Sequence, residues 1–159
     1  MGFALSNMKV TSRAFGQGEA IPAGHTGEGE DVSPELSWSE APEGARSFAV
    51  VCHDPDAPLI TPQGTYGFVH WVLYNIPAGE SALAEGTDQY TSGKNDFGNE
   101  GYGGPMPPNG HGKHQYYFWV LALDKDLGLE SGLGMGELLA KIEPNVIAMN
   151  RLVGVYERD

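Results

Sequence analysis

At 159 residues the chain has the length of one domain, with a core large enough to need neither metal nor disulfide. Its 21 acidic and 9 basic residues give a formal net charge of -12, a field that repels nucleic acid and anionic lipid, and no local basic patch offsets it. The 23 glycines and 11 prolines call for many turns, and the single cysteine leaves no disulfide to form. The opening MGFALSNMKVTSR lacks the basic and long apolar regions of a signal peptide. No stretch approaches the ~18 apolar residues of a membrane span, so the expectation is a cytoplasmic protein without membrane insertion. MKVTS (8–12) and ELSW (35–38) read as weak strands. RSFAVVCH (46–53), FVHWVLYNI (68–76) and QYYFWVLAL (115–123) are stronger, apolar on both faces as strands of a covered sheet should be. Cys52, inside the first of these, reads as a small core hydrophobe. Between them Asp88 to Lys113 carries 7 glycines and 3 prolines without a convincing strand or helix. A loop that long is functional or disordered, and Tyr90, Phe97, Tyr102 and Met106 give it the anchors of an ordered, site-forming one. MGELLAKIEPNVIAMN (135–150) places Leu138, Leu139, Ile142, Val146 and Ile147 near helical spacing, with Pro144 breaking the run and starting a second short helix. RLVGVYE (151–157) is a last weak strand, and the whole is a mainly β domain over 1–159 with short C-terminal helices.

Polar residues cluster where strands end. Asp54 and Asp56 follow the strand at 46–53, His70 lies inside the next, and His114 begins the one after the long loop. If these ends meet they form a concave site with apolar walls and a few convergent polar groups. Each has a plainer reading. DPDAP suits a turn whose Asp side chains bond backbone amides, His70 suits a satisfied core histidine, His111 suits an exposed loop residue, and alternation turns His53 to the opposite face.

Several chemistries can be weighed against these residues. HGKH (111–114) has two histidines three apart, a weak metal signal because Gly-Lys between them implies a loop, and no metal or cofactor is expected. No GxSxG places a nucleophile, and no GxxxxGK[ST] loop cradles phosphates. DFG at 96–98 lacks the other kinase motifs. Binding of a small polar ligand remains, with imidazoles and glycine-loop amides as donors and carboxylates as acceptors.

GEGEDVSPELSWSEAPEGARSFAVVCHDPDAP, then HWVLYNIP, then GPMPPNGHGKHQYYFWVLALD resembles the phosphatidylethanolamine-binding protein family, in particular its bacterial Raf-kinase-inhibitor-like branch. The resemblance runs from about residue 8 to the C-terminus and implies a large central antiparallel sheet, a smaller packed sheet and short helices. It further implies a pocket for phosphate-like anions or phosphoryl head groups built from Asp54, Asp56, His70, Gly104, Pro107, His114 and Tyr116. Two ionised aspartates repel such a ligand, so His70 and His114 are expected to donate to it, one as imidazolium, with affinity rising as pH falls. The chain departs from the family in having Gln115 where an arginine is common, which removes a bidentate cation. The implied function is a non-enzymatic binding protein that regulates a kinase or protease partner. A hydrolase or isomerase using the Asp/His cluster as acid and base is the alternative. A homodimer is a general expectation that no residue specifies.

Overall fold

The computed structural model describes residues 3–58 and 67–159. Its elements in chain order are β1 (Lys9–Thr11), β2 (Leu36–Ser39), β3 (Ser47–Asp54), β4 (Phe68–Pro77), β5 (Ala82–Leu83), β6 (Thr91–Ser92), β7 (His114–Leu123), α1 (Met135–Ile142) and β8 (Val146–Tyr156). A five-stranded antiparallel sheet runs β6-β4-β3-β7-β8, and a three-stranded one runs β1-β2-β5.

The three central strands are apolar on both faces because each face has a cover. Phe48, Val50 and Cys52 of β3 and Phe118 of β7 share one core with Leu36 and Trp38 of the small sheet. On the other face Ala49, Val51, Val72 and Tyr74 share a second core with Leu138 and Ile142 of α1. Cys52 is fully buried in the first core, and burial pushes its thiol well above the ordinary range, so it is a packing residue with no thiolate chemistry.

The C-terminal region differs from the helical spacing read across 135–150. Pro144 lacks an N–H, so α1 stops at Ile142 and a single 3-10 turn, Glu143–Asn145, reverses the chain. Val146 and Ile147 then open β8, which pairs with β7 along its length. The pairing steps from Ala122 with Ala148 to Leu123 with Val146, leaving Ile147 as a bulge, 39% exposed. The two-residue strands β5 and β6 are too short to leave a periodic pattern.

The glycine-rich stretch 88–113 lies folded along the end of the large sheet. Gly93 N–H donates to Val72 O, and Asp96 exchanges backbone and side-chain hydrogen bonds with Val69. Asn95 organises the turn, its Oδ1 accepting from the N–H groups of Phe97 and Asn99 while Nδ2 donates to Gly101 O. The DFG triplet is therefore part of a turn that fastens this stretch to β4.

One irregularity of β4 positions the site. Cys52 pairs with Trp71, but the next residue of β3, His53, pairs with Val69, so His70 is an extra residue outside the ladder. A bulge of this kind bends the strand and re-aims a side chain.

Candidate functional site

By simple alternation His70 would share a face with Val72 and Tyr74, toward α1. The bulge turns it instead to the side of Trp71, where β3 and β7 present Asp54, His114 and Tyr116 in step with Cys52 and Phe118. His70 is also locked from outside the sheet. Its backbone carbonyl accepts from Gly103 N–H at 2.9 Å, and its ring Nδ1–H donates to Gly103 O at 2.6 Å. The extra residue thus fastens the long loop to the sheet through both backbone and side chain.

These ends form a cleft of about 180 Å³. Its polar floor is Asp54, His70, His114 and Tyr116, each no more than 4% exposed, and its walls are Ala57, Pro58, Phe68, Phe97, Met106, Pro107 and Pro108. Phe97 and Met106 remain 47% and 42% exposed, an apolar rim beside the opening. Of the seven residues expected at a ligand site, five line this cleft: Asp54, His70, Pro107, His114 and Tyr116. The other two stand behind them.

Asp56 is exposed, and its Oδ2 accepts from Gln115 N–H at 2.7 Å while its own N–H donates to Asp54 Oδ1 at 2.7 Å. Gly104 gives its N–H to Asp31 Oδ1 at 2.7 Å. A Cβ at Gly104 would lie 2.3 Å from the carbonyl oxygen of His25, so only glycine lets the loop approach the 25–31 segment this closely. DPDAP therefore does form the turn its sequence suggests, and the turn holds Asp54 at the floor of the cleft.

Asp54 Oδ2 accepts from His114 Nδ1–H at 2.6 Å, a pair buried on both sides. With Oδ1 occupied by the turn, this carboxylate is already surrounded by donors, which lessens its repulsion of an anion. His70 behaves differently from expectation. Burial pushes its imidazole below the ordinary range, partly opposed by its bond to Gly103, so near neutral pH the ring carries one proton. The Gly103 carbonyl fixes that proton on Nδ1, leaving Nε2 with a lone pair. At Nε2, then, His70 can accept a hydrogen bond but has none to donate. Tyr116 keeps its phenol proton, because burial and the Asp54 carboxylate raise it far above neutral pH, and its O–H is a donor at the floor.

The arginine replaced by Gln115 leaves no gap in this cleft. Gln115 is exposed, its N–H serves Asp56, and its Oε1 accepts from Tyr117 O–H at 3.1 Å, so the side chain lies on the opposite face from His114 and Tyr116. His53 also takes the opposite face, its ring 5.9 Å from that of Tyr117. His111, read from sequence as an exposed loop residue, is exposed yet joined to the site: its Nδ1 lies 2.7 Å from His114 Nε2. The HxxH spacing was the available signal, and it marks two rings bonded to each other. Among the described residues no group of three His, Cys, Asp or Glu is placed to hold a metal ion.

A profile of the phosphatidylethanolamine-binding protein family matches residues 11–157. The UPF0098 protein of Aquifex aeolicus is 42% identical, the alignment covering 96% of this chain and 90% of that protein. Among solved structures, a phosphatidylethanolamine-binding protein homologue of Chlamydia trachomatis superposes with a TM-score of 0.87 at 38% identity, covering 96% of this chain and 98% of that one. Escherichia coli YbcL, described as a member of the mammalian family, gives 0.87 at 34% identity, covering 97% and 100%. A carboxypeptidase Y inhibitor solved with its cognate proteinase shares the fold, with a TM-score of 0.54 at 21% identity over 89% of this chain and 76% of that one.

Proposed function

The chain belongs to the phosphatidylethanolamine-binding protein family, and from that premise we propose that it is a non-enzymatic binding protein for a small anionic ligand, a phosphate or phosphoryl head group. The observation that carries this reading is the composition of the cleft, four buried polar side chains beneath walls of proline, phenylalanine and methionine. Tyr116 O–H supplies a donor to the anion, while both ring nitrogens of His114 are engaged, Nδ1 with Asp54 and Nε2 with His111. The lone pair of His70 Nε2 requires a donor in return, which the P–OH of inorganic phosphate or the ammonium of phosphoethanolamine provides.

A calorimetric titration with phosphate, phosphoethanolamine and a neutral amine tests this on the wild type and on His70→Ala. Anion-dependent heat that disappears in the variant supports the reading, and no heat with any anion overturns it. The homology to a carboxypeptidase inhibitor extends the proposal to a protease partner, and a kinase partner remains the other regulatory form of it. Inhibition of a carboxypeptidase, assayed with and without phosphate, tests that part.

A hydrolase or isomerase is the second reading, favoured by the 2.6 Å Asp54–His114 pair, which has the form of an oriented base. Turnover of a phosphate ester that is abolished by His114→Ala would establish it over simple binding.

A further inference from the structure

His111 sits at the outer end of a chain of hydrogen bonds that begins at the most buried carboxylate of the cleft. Asp54 Oδ2 to His114 Nδ1 is 2.6 Å, and His114 Nε2 to His111 Nδ1 is 2.7 Å. Asp54 and His114 are 2% exposed, while His111 is an exposed residue. We infer that His111 is a positioning residue of the ligand site, which passes a proton from solvent to His114 so that an anion entering the cleft is bound with proton uptake. This rests on the anion-binding reading above.

The proton count follows from the two contacts. A carboxylate only accepts, so His114 carries its proton on Nδ1. The contact between His114 Nε2 and His111 Nδ1 then needs one proton between two nitrogens. With both rings neutral, that proton belongs to His111 Nδ1, and His111 Nε2 is left with a lone pair. A proton taken from water at His111 Nε2 makes an imidazolium on the outer ring. Movement of the bridging proton to His114 Nε2 transfers the charge inward and leaves His111 neutral with its proton on Nε2. The charge thereby comes to rest on the ring beside the Asp54 carboxylate, at the floor where the anion binds.

The charged and titratable surroundings suit this transfer. Asp54 reaches His114 from β3, and Asp56 holds the neighbouring Gln115 amide from the turn. His70 contributes from β4 only a neutral ring whose proton is directed to Gly103. From β8, Tyr156 is the strand partner of His114, and its hydroxyl donates to Glu28, which also meets Arg158 at 3.4 Å. Lys113 is the exposed cation next to His114 in sequence, and Tyr116 stays protonated beside Asp54. The Arg158 guanidinium is directed to Glu28 and to Pro107 O. The base in contact with His114 on its outer side is thus His111.

Two measurements on the full chain test the inference. In ¹⁵N-edited spectra recorded across pH 5–9, the facing nitrogens of His111 and His114 are expected to respond in one common transition. Separate, independent transitions would overturn the relay whether or not any anion binds. The second is calorimetry with inorganic phosphate at pH 8 in buffers of different ionisation heat. About one proton should be taken up per anion by the wild type and clearly less by His111→Ala, with affinity in the variant about tenfold lower. Added imidazole should restore proton uptake in His111→Ala, which a loss of loop structure would not allow. Equal proton uptake in the two proteins, or tighter binding by the variant, would overturn it. Absence of phosphate binding by the wild type would instead count against the anion-binding reading, and the spectra would still decide the relay.

Discussion

Burial of the His70 ring gives the molecule an acid-sensitive joint. Its folded value lies below that of the unfolded chain, ~6.5, so between the two the unfolded state binds a proton that the folded state does not. Stability should be fully present above pH ~6.5 and fall as pH drops through the depressed folded value. His53, also lowered by burial, adds a slope of the same sign. Urea midpoints measured from pH 8 to 5 should show this decline, and His70→Gln, which keeps a donor for Gly103, should flatten it. A slope unchanged in that variant would assign the acid sensitivity elsewhere. The same ring predicts a preference among anions. Sulfate has no proton to give His70 Nε2 and should bind at least several-fold more weakly than phosphate, as one unmade hydrogen bond in a buried site implies. Equal affinity in a calorimetric comparison would show that the lone pair does not face the ligand. At this scale the sequence carried residue types well and directions poorly. DPDAP, His70 and His114 stand out as polar groups beside greasy strands, but the tautomer of His70 depends on a carbonyl 33 residues away. His111 reads as an exposed loop residue, and its HxxH spacing from His114 does not say that the two rings will hydrogen-bond.

Elements decide which side chains can meet. The strong strands were legible because three runs of β-branched and aromatic residues need cover on both faces, and their ends agree with the structure to within a residue. What alternation cannot reveal is the point where it fails. His70 reaches the cleft only because β4 has one residue too many opposite His53, a feature of pairing between strands. Val146 and Ile147 show the converse, since their spacing fits a helix but Val146 pairs with Leu123 of β7 and Ile147 follows it into the strand as a bulge. The loop that closes the site depends on close backbone approach at Gly104. Gly104→Ala should lower stability by about 1–3 kcal/mol, because the new methyl meets the His25 carbonyl and the Asp31 carboxylate, groups that cannot step aside cheaply. Gly79→Ala, where a Cβ meets nothing within 4 Å, should change it by less than about 0.5 kcal/mol. Chemical denaturation of both variants checks the contrast, and equal losses would remove the close approach as the reason for glycine.

The molecule as a whole carries -12 while its proposed ligand is an anion. Capture must therefore work against a long-range field and depend on groups close to the floor. Screening shortens the reach of that field, to roughly 10 Å at 0.1 M salt, and leaves contacts within the cleft largely intact. Phosphate affinity is expected to rise as ionic strength increases from about 0.01 to 0.1 M, the reverse of a site fed by a basic surface. Titrations at fixed pH in a salt with a weakly competing anion would show this, and a steep fall would mean that exposed cations such as Lys113 dominate. The net charge was plain in the composition. DPDAP already suggested a turn, but that Asp54 also serves His114 and Asp56 the Gln115 amide, so that the pair opposes an anion less than its number suggests, needed the folded chain.

Strands in the middle of a sheet are usually the worst places to lose a residue, since every side chain beyond the gap changes face. Here the residue to remove already stands outside the pairing. A chain lacking His70 alone would bring Val69 and Trp71 into consecutive register with His53 and Cys52, and the rest of β4 would keep its faces. Such a deletion takes away the ring and its two bonds to Gly103 together, while Asp54, His114 and Tyr116 stay at the floor, so it separates the contribution of the bulge from that of the regular strands.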